Sequence, residues 1–117
     1  MNKWCNNRLT VLGAKEQVQR FLSSKWDRRL GARYGEWIEN FPRRVVCLFE
    51  TDEPPLASLR RLSRRHPQLI LLLDWEVERE RIKGLVKAQA GSITHCQFEY
   101  CGLAHDLARA GPLSGYS

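Results

Sequence analysis

The chain has 117 residues, 43% of them hydrophobic, which is enough for one compact domain with its own core but not for two. The formal net charge of +6 is unevenly spread, because residues 1–67 hold 14 Lys and Arg against 7 Asp and Glu, whereas residues 68–117 hold 5 against 6. A basic surface of this kind attracts nucleic acids, acidic proteins and anionic membranes alike, so the charge indicates partners and not a fold.

The sequence contains no membrane-spanning or secretory segment. No stretch is apolar over the roughly 20 residues that a bilayer crossing needs, and the longest apolar run, Leu69 to Leu73, is followed by Asp74. The N-terminal residues lack the apolar core and the small-residue cleavage site of a secretory signal. We therefore expect a cytoplasmic protein that does not bind a membrane.

The four cysteines are expected to be reduced thiols that pack as small apolar side chains; they are Cys5, Cys47, Cys96 and Cys101. Zinc sites need clustered ligands, and the one close cysteine pair, Cys96 and Cys101, is separated by four residues, with His95 and His105 nearby. We predict neither a disulfide framework nor a metal or other cofactor. A thiol beside His66, His95 or His105 could serve as nucleophile and base, but the sequence brings no such pair together.

The first half of the chain predicts three strands and one helix. The β-rich run Arg8 to Leu12 stops at Gly13, and Ala14 to Ser24 then places apolar residues at helical spacing. Leu30 to Asn40 could be helix or strand, but it has no clean helical face. The β-branched run Val45 to Phe49 follows after a turn-like segment, and we interpret the two runs as antiparallel strands.

A second helix is predicted to begin near Thr51 or Asp52, whose side chains can accept hydrogen bonds from the exposed amides of the first turn. Leucines line one side of this helix, and Pro67 forbids its continuation. The other side carries four arginines at spacings i, i+1, i+4 and i+5 with no acidic residue between them: Arg60, Arg61, Arg64 and Arg65.

Leu69 to Val77 and Arg81 to Ala90 predict a hairpin, because a single register satisfies both faces of the pair. On one face only apolar or small residues meet, and on the other face opposite charges meet. The predicted pairs are Val77 with Ile82, Trp75 with Gly84, Leu73 with Val86, Leu71 with Ala88, Glu78 with Arg81 and Glu76 with Lys83.

The order strand, helix, strand, strand, helix, strand is the split βαβ arrangement of ferredoxin-like domains. We therefore predict an α+β fold, a ferredoxin-like sandwich (βαββαβ) with an additional C-terminal strand or hairpin. The alternation over Ile93 to Tyr100 predicts a further strand or a packed extension. Residues 1–101 are expected to form the domain, and residues 102–117 a tail with a short helix at Leu103 to Ala110.

Five short landmarks occur in a fixed order: Trp4-Cys5-Asn6-Asn7, Lys25-Trp26-Asp27, Phe49-Glu50-Thr51 running into Pro54-Pro55, His66-Pro67, and Gly84 behind a charged hairpin. In this order they resemble the YubB-like (Api-type) ferredoxin-like family, small proteins carried by bacterial plasmids and phages. The resemblance covers about residues 1–91. It implies a ferredoxin-like fold and a mobile genetic element as the context, and it implies no particular activity.

Several aromatic side chains could stack on bases. Trp4 and Trp26 lie in the landmark motifs, but large apolar groups near the ends of a strand and a helix more often cover a core, so we expect both to be buried. A ferredoxin-like sheet that reads RNA displays two or three aromatics on its open face. Tyr34, Trp37 and Phe49 are candidates, but they do not form that pattern.

The arginine-rich helix is the predicted binding surface. Guanidinium groups contact phosphate or carboxylate at two points, and the alternative is an ordinary solvated helix face. The predicted partner-binding residues are Arg60, Arg61, Arg64, Arg65, Arg43, Arg44, Lys25, Arg28 and Arg29.

No catalytic constellation stands out, since no glycine-rich phosphate loop occurs and the hairpin carboxylates face cations. Together with the mobile-element context that the resemblance implies, this predicts a non-enzymatic phage or plasmid accessory protein that binds an acidic partner, a host protein or nucleoprotein complex. The same context favours an anti-defence factor such as an anti-CRISPR protein. Direct binding of DNA or RNA through phosphate contacts is the alternative, and a small enzyme is the third hypothesis.

Overall fold

The structure is a computed structural model that describes residues 4–100. In chain order the elements of this part are β1 (Cys5–Leu12), α1 (Lys15–Leu22), α2 (Trp26–Leu30), β2 (Arg33–Phe41), β3 (Arg44–Thr51), α3 (Leu56–Arg65), β4 (Ile70–Val77), a single 3₁₀ turn (Glu78–Glu80), β5 (Ile82–Gln89) and β6 (Ser92–Glu99). The predicted α+β class is confirmed. The predicted tail, 102–117, and its helix lie outside the described residues.

The six strands form one antiparallel sheet in the order β2-β3-β1-β4-β5-β6. The first strand, β1, lies in the middle, with Cys5 opposite Thr51 of β3 and Asn6 opposite Glu76 of β4. Every second residue of β1, from Cys5 to Val11, is buried, which is the alternation of a strand with one covered face.

All three helices cover the same side of the sheet, which we call the helix side; the opposite side is the open side. The helices bury apolar residues against the inward-facing residues of the strands, and each fully buried Leu, Val or Phe side chain contributes about 1.5–3 kcal/mol to stability. The helix residues in this core are Val18, Phe21, Trp26, Leu30, Leu59 and Leu62.

The β4–β5 hairpin has the predicted register. Val77 lies opposite Ile82, Trp75 opposite Gly84, Leu73 opposite Val86 and Leu71 opposite Ala88, and Glu76 lies opposite Lys83. The Trp75 ring covers Gly84 so closely that a Cβ atom on the glycine would stand 2.2 Å from Cε2 of the ring. A glycine is therefore required at this position, as expected for an aromatic side chain that crosses a neighbouring strand.

The two landmark tryptophans have different environments. Trp26 is buried, and its ring stacks on Phe21 with the centroids 5.7 Å apart, so the prediction is confirmed there. For Trp4 it is wrong, because that side chain is 44% exposed and lies under the guanidinium of Arg33. The reason is the strand alternation: Cys5 takes the inward position, so its neighbour Trp4 does not.

The predicted capping of the second long helix is also wrong. Thr51 belongs to the end of β3, where its hydroxyl accepts a hydrogen bond from Asn7 Nδ2 (3.0 Å) and donates one to the Glu53 carbonyl (2.7 Å). Asp52 pairs with Arg33 instead. Helix α3 begins after Pro55 without a side-chain cap, and proline tolerates this place because the first turn needs no amide donor there.

Cys5 and Cys47 are buried as predicted, but Cys96 is exposed on the edge strand β6, so its predicted packing is wrong. Among residues 4–100 no cluster of three His, Cys, Asp or Glu side chains could hold a metal ion; Cys101 and His105 lie outside that range. In the same part of the chain, no helix combines the length and the apolar character that a bilayer crossing needs.

Candidate partner-binding surface

Helix α3 presents its four arginines to solvent. Leu59 and Leu62 are buried on its inner side, and all four arginines are exposed. Successive helical residues rotate by about 100°, so Arg60 and Arg64 form one rim of the exposed stripe and Arg61 and Arg65 the other. The amphipathic pattern of the sequence therefore correctly predicts that the arginines are exposed. The four arginines nevertheless form two pairs, one along each rim of the exposed stripe.

One rim of this stripe meets the β5–β6 turn. The amide of Gly91 in the turn donates to Ser63 Oγ at 2.9 Å, which joins the turn to α3. Arg64 lies over the same glycine, since a Cβ placed there would stand 2.6 Å from Arg64 Cγ and 2.9 Å from Nε. Arg64 is thus held close to the edge of the sheet, while its exposed guanidinium stays in solvent.

The other rim faces α1 and α2 across His66. The His66 side chain is only 6% exposed, it packs edge-on against Phe21, and neither ring nitrogen has a hydrogen-bond partner among the described residues. Burial lowers its pKa, and the nearby charges of Arg65, Arg20 and Arg29 lower it further. The charges of three arginines, one from each helix, therefore act on one buried imidazole and disfavour its protonation.

Helix α2 contributes the remaining cations on this side. It packs against α3 through its buried face, leaving Lys25, Arg28 and Arg29 exposed. Arg29 Nε donates to the Ser24 carbonyl at 3.4 Å, which directs this guanidinium back toward the end of α1. We define the arginine surface as eight exposed cations on or next to the three helices, without Lys15 at the start of α1: Arg20, Lys25, Arg28, Arg29, Arg60, Arg61, Arg64 and Arg65.

Little acidic charge neutralises the arginine surface. Within the described chain, ion pairs join Arg33 with Asp52 at 3.0 Å and Arg44 with Glu39 at 2.7 Å, and neither pair includes a residue of the three helices. The carboxylates of the helices are Glu16 and Asp27. Uncompensated guanidinium groups on one face produce a positive field that attracts an anionic surface.

Two predicted residues, Arg43 and Arg44, do not join this surface. They lie at the β2–β3 turn, where Arg44 is held by Glu39 and the Arg43 carbonyl accepts from the Gly13 amide. Arg20, in contrast, belongs to the surface but was not predicted. Its place on α1 was readable from the sequence, whereas the proximity of α1 to α3 was not.

The aromatic candidates for base stacking are dispersed. Phe49 is buried in the core, with its ring centroid 5.8 Å from that of Trp26. Trp37 also packs edge-on against Trp26, with the two ring centroids 5.7 Å apart. Tyr34 is 74% exposed and lines the open side. Because Phe49 is buried, these three side chains do not form one exposed platform for successive bases.

The open side holds a second feature that the sequence did not reveal, a cleft of about 670 Å³ across β3, β1, β4 and β5. Two cations line it, Arg8 and Lys83, and so do four carboxylates: Glu36, Glu50, Asp74 and Glu76. Tyr100 donates a hydrogen bond to Glu76 at its rim. This cleft therefore holds more carboxylates than cations, whereas the helices hold more cations than carboxylates, and only the strand register brings the cleft carboxylates together.

The buried thiols are poorly suited to act as nucleophiles. Burial raises the pKa of Cys5 to about 11, and burial also raises the pKa of Cys47. With their pKa values raised, both thiols are almost entirely protonated at neutral pH. The reactive form of a cysteine is the thiolate, so neither side chain is a good nucleophile. The imidazole of His95 is engaged with Trp75, whose Nε1 donates to His95 Nε2 at 3.3 Å.

Comparisons with known proteins identify no relative of this chain, so a function has to be argued from the geometry of its structure. No family model, no curated protein and no solved structure matches this chain. The relation to the YubB-like family therefore remains a resemblance of short motifs. The landmarks nevertheless have structural roles, since Asn7 and Thr51 bond each other and Trp26 fills the core.

Proposed function

We propose that residues 5–77 form a ferredoxin-like sandwich to which β5 and β6 add an edge. Two observations support this: the strands and helices follow one another as β1, α1 with α2, β2, β3, α3, β4, and the strands of this part lie in the order β2-β3-β1-β4. A ferredoxin-like domain with an extended sheet is also what the landmark motifs imply.

We propose that the protein is a non-enzymatic phage or plasmid accessory protein that binds an acidic macromolecular partner in the bacterial cytoplasm. The observation that carries this proposal is the arginine surface, eight exposed cations for which the described part of the chain shows no paired carboxylate. Arginine prefers flat, two-point contacts with carboxylate or phosphate, so an acidic protein surface fits this face well. An anti-defence role, such as inhibition of a CRISPR complex, agrees with the motif resemblance.

The cleft on the open side supports docking of an acidic partner through the helix side. Because carboxylates outnumber cations in the cleft, an acidic partner is attracted to the helix side and repelled from the cleft. The complex would therefore form in one orientation. Such one-sided docking suits an inhibitor that must cover a defined surface of a host complex.

Direct binding of DNA or RNA is the second candidate, and it is favoured by the two-rim spacing of the arginines on α3. Contacts of this kind read phosphates and not bases. The affinity would then fall linearly with salt on a logarithmic scale. Each arginine that contacts a phosphate would contribute about one to that slope.

A pull-down from a bacterial lysate, with and without nuclease, tests the proposal. The bait is compared with the double variant Arg61→Glu/Arg65→Glu and with Arg79→Glu/Lys87→Glu, a matched control that makes the same change in net charge away from the helices. Circular dichroism verifies that all three proteins are folded. We expect the wild type and the control to capture the same partner and the Arg61→Glu/Arg65→Glu variant to lose it.

The outcomes separate the two candidates. A stoichiometric protein that survives nuclease supports the inhibitor hypothesis, whereas nucleic acid alone, lost after nuclease, supports phosphate binding. Equal capture by all three baits would refute the arginine surface as the binding site.

A further inference from the structure

The two edges of the sheet differ in how they are built. The pairing of β2 with β3 is interrupted by register shifts between Arg33 and Glu36 and between Trp37 and Glu39. In contrast, β6 pairs with β5 without interruption from Ser92 to Glu99. Bulges prevent an edge strand from adding another strand, and a straight edge permits it.

The composition of β6 points the same way. Its sequence, SITHCQFE, contains no lysine, arginine or proline, the residues that most often protect an edge strand. Seven of its eight residues are exposed, and Ile93 is half-buried. Since β6 ends the strand order, the outer backbone groups have no neighbouring strand among the described residues.

We propose that β6 pairs antiparallel with β6 of a second copy of this chain, about a two-fold axis perpendicular to the sheet. The two sheets then join into one of twelve strands, six from each copy. A two-fold interface of this type is self-complementary, so one edge strand serves both copies. The pairing does not depend on the proposed function.

The side chains of β6 select the register. Residues opposite each other in an antiparallel pair lie on the same face, and the β5 pairing places Ile93, His95, Gln97 and Glu99 on the helix side. Two registers therefore give long overlaps, one centred on His95 and one centred on Cys96. The register centred on Cys96 sets Glu99 against the half-buried Ile93 of the other copy, which mismatches charge and apolar surface.

The register centred on His95 has complementary charges instead. It sets Glu99 opposite Gly91 of the second copy, where the side chain of Arg64 already lies 2.6 Å from the place of a Cβ atom. Both Glu99 and Arg64 are exposed and on the helix side. The two-fold axis forms this carboxylate–guanidinium contact twice, once at each end of the paired strands.

The proposed pairing has a geometric consequence. Because the axis is perpendicular to the sheet, the helices of both copies lie on one side of the joined sheet, and both arginine surfaces face the same way. A long anionic partner could then contact the two surfaces together, and linked contacts of this kind increase the apparent affinity without any new contact.

Sedimentation equilibrium of the full chain tests the pairing in the presence of reductant and in the absence of nucleic acid. We expect the mass to rise with concentration from 13.6 kDa to about twice that value. Thr94→Lys combined with Cys96→Lys should abolish the dimer, because the register sets these exposed positions opposite each other. A dimer that persists in this variant would refute β6 as the interface.

A charge exchange tests the register. Glu99→Arg should shift the protein to the monomer, and Arg64→Glu added to it should restore the dimer. Glu53→Arg makes the same change in charge at an exposed position far along the chain and should leave the dimer intact. A wild type that stays monomeric at every concentration would overturn the proposal, and single variants that act without restoration would overturn the register. Partner capture is not measured, so failure here is distinct from failure of the proposed function.

Discussion

The two sides of the sheet differ in both packing and charge. The helix side is densely packed, with Leu73 and Leu71 almost fully buried, and its outer layer is basic. The open side exposes Leu72 and Leu85 beside a cleft lined by four carboxylates. The main core and the proposed binding surface therefore lie on the same side of the sheet. The net charge of the chain conceals this separation.

The sharpest test of this comparison uses two neighbouring leucines of β4. Leu73 is 1% exposed on the helix side. Its change to Ala leaves a cavity and should lower the free energy of unfolding by about 2–5 kcal/mol. Leu72 is 36% exposed on the open side. Its change to Ala should lower the free energy of unfolding by at most about 1 kcal/mol. Urea unfolding at one protein concentration measures both. Equal losses would mean that the open side is packed in solution.

Gly84→Ala should have the next largest effect. The added methyl group would overlap the Trp75 ring, which must move, and overpacking of this kind costs about 1–3 kcal/mol. Gly35→Ala is the matched control, because the nearest atom to its new Cβ is Cys47 Sγ at an ordinary 3.8 Å. Thermal unfolding compares the two variants. A neutral Gly84→Ala would show that the ring does not need to cover the glycine.

The smallest expected effect concerns pH and the helix side. Burial and three arginines hold the pKa of His66 below its usual 6.5, so the unfolded chain binds a proton more readily than the folded protein. The stability that His66 provides is present above pH 6.5 and is lost as the pH falls toward the lowered pKa. Unfolding midpoints between pH 7.5 and 5.5 measure this slope.

His66→Phe should flatten that dependence and retain the fold, since the ring nitrogens have no partner among the described residues and Phe21 packs against the ring edge-on. If His66→Phe kept the slope, the groups that lose stability at low pH would lie elsewhere.

Local pattern predicted the parts of the fold whose contacts are close in sequence. The register of β4 and β5 followed from residues on both faces, because a slip by one position would place Leu73 against charge. The exposed arginines of α3 followed from helical spacing and the stop before Pro67. In both cases one short segment contains all the interactions that determine the local structure.

Long-range placement could not be predicted in the same way. Helix α2 has only five residues, too few for a periodic signal, and it is held by the packing of Trp26 and Leu30. Arg20 joins the candidate site only because α1 and α3 meet at His66. Likewise, the acidic cleft requires Glu50 and Glu76 to flank Asn6, which depends on two strand pairings of high sequence separation.

The position of β1 has a consequence for the order in which this protein can fold. The central strand is the earliest in the chain, but its partners are β3 and β4, whose far ends are Thr51 and Val77. During synthesis β1 must therefore wait for most of the domain before its second neighbour exists, whereas β4, β5 and β6 can pair as consecutive hairpins. Closing such long loops is entropically costly, so we expect slow folding that the local β4–β6 meander begins and β1 completes.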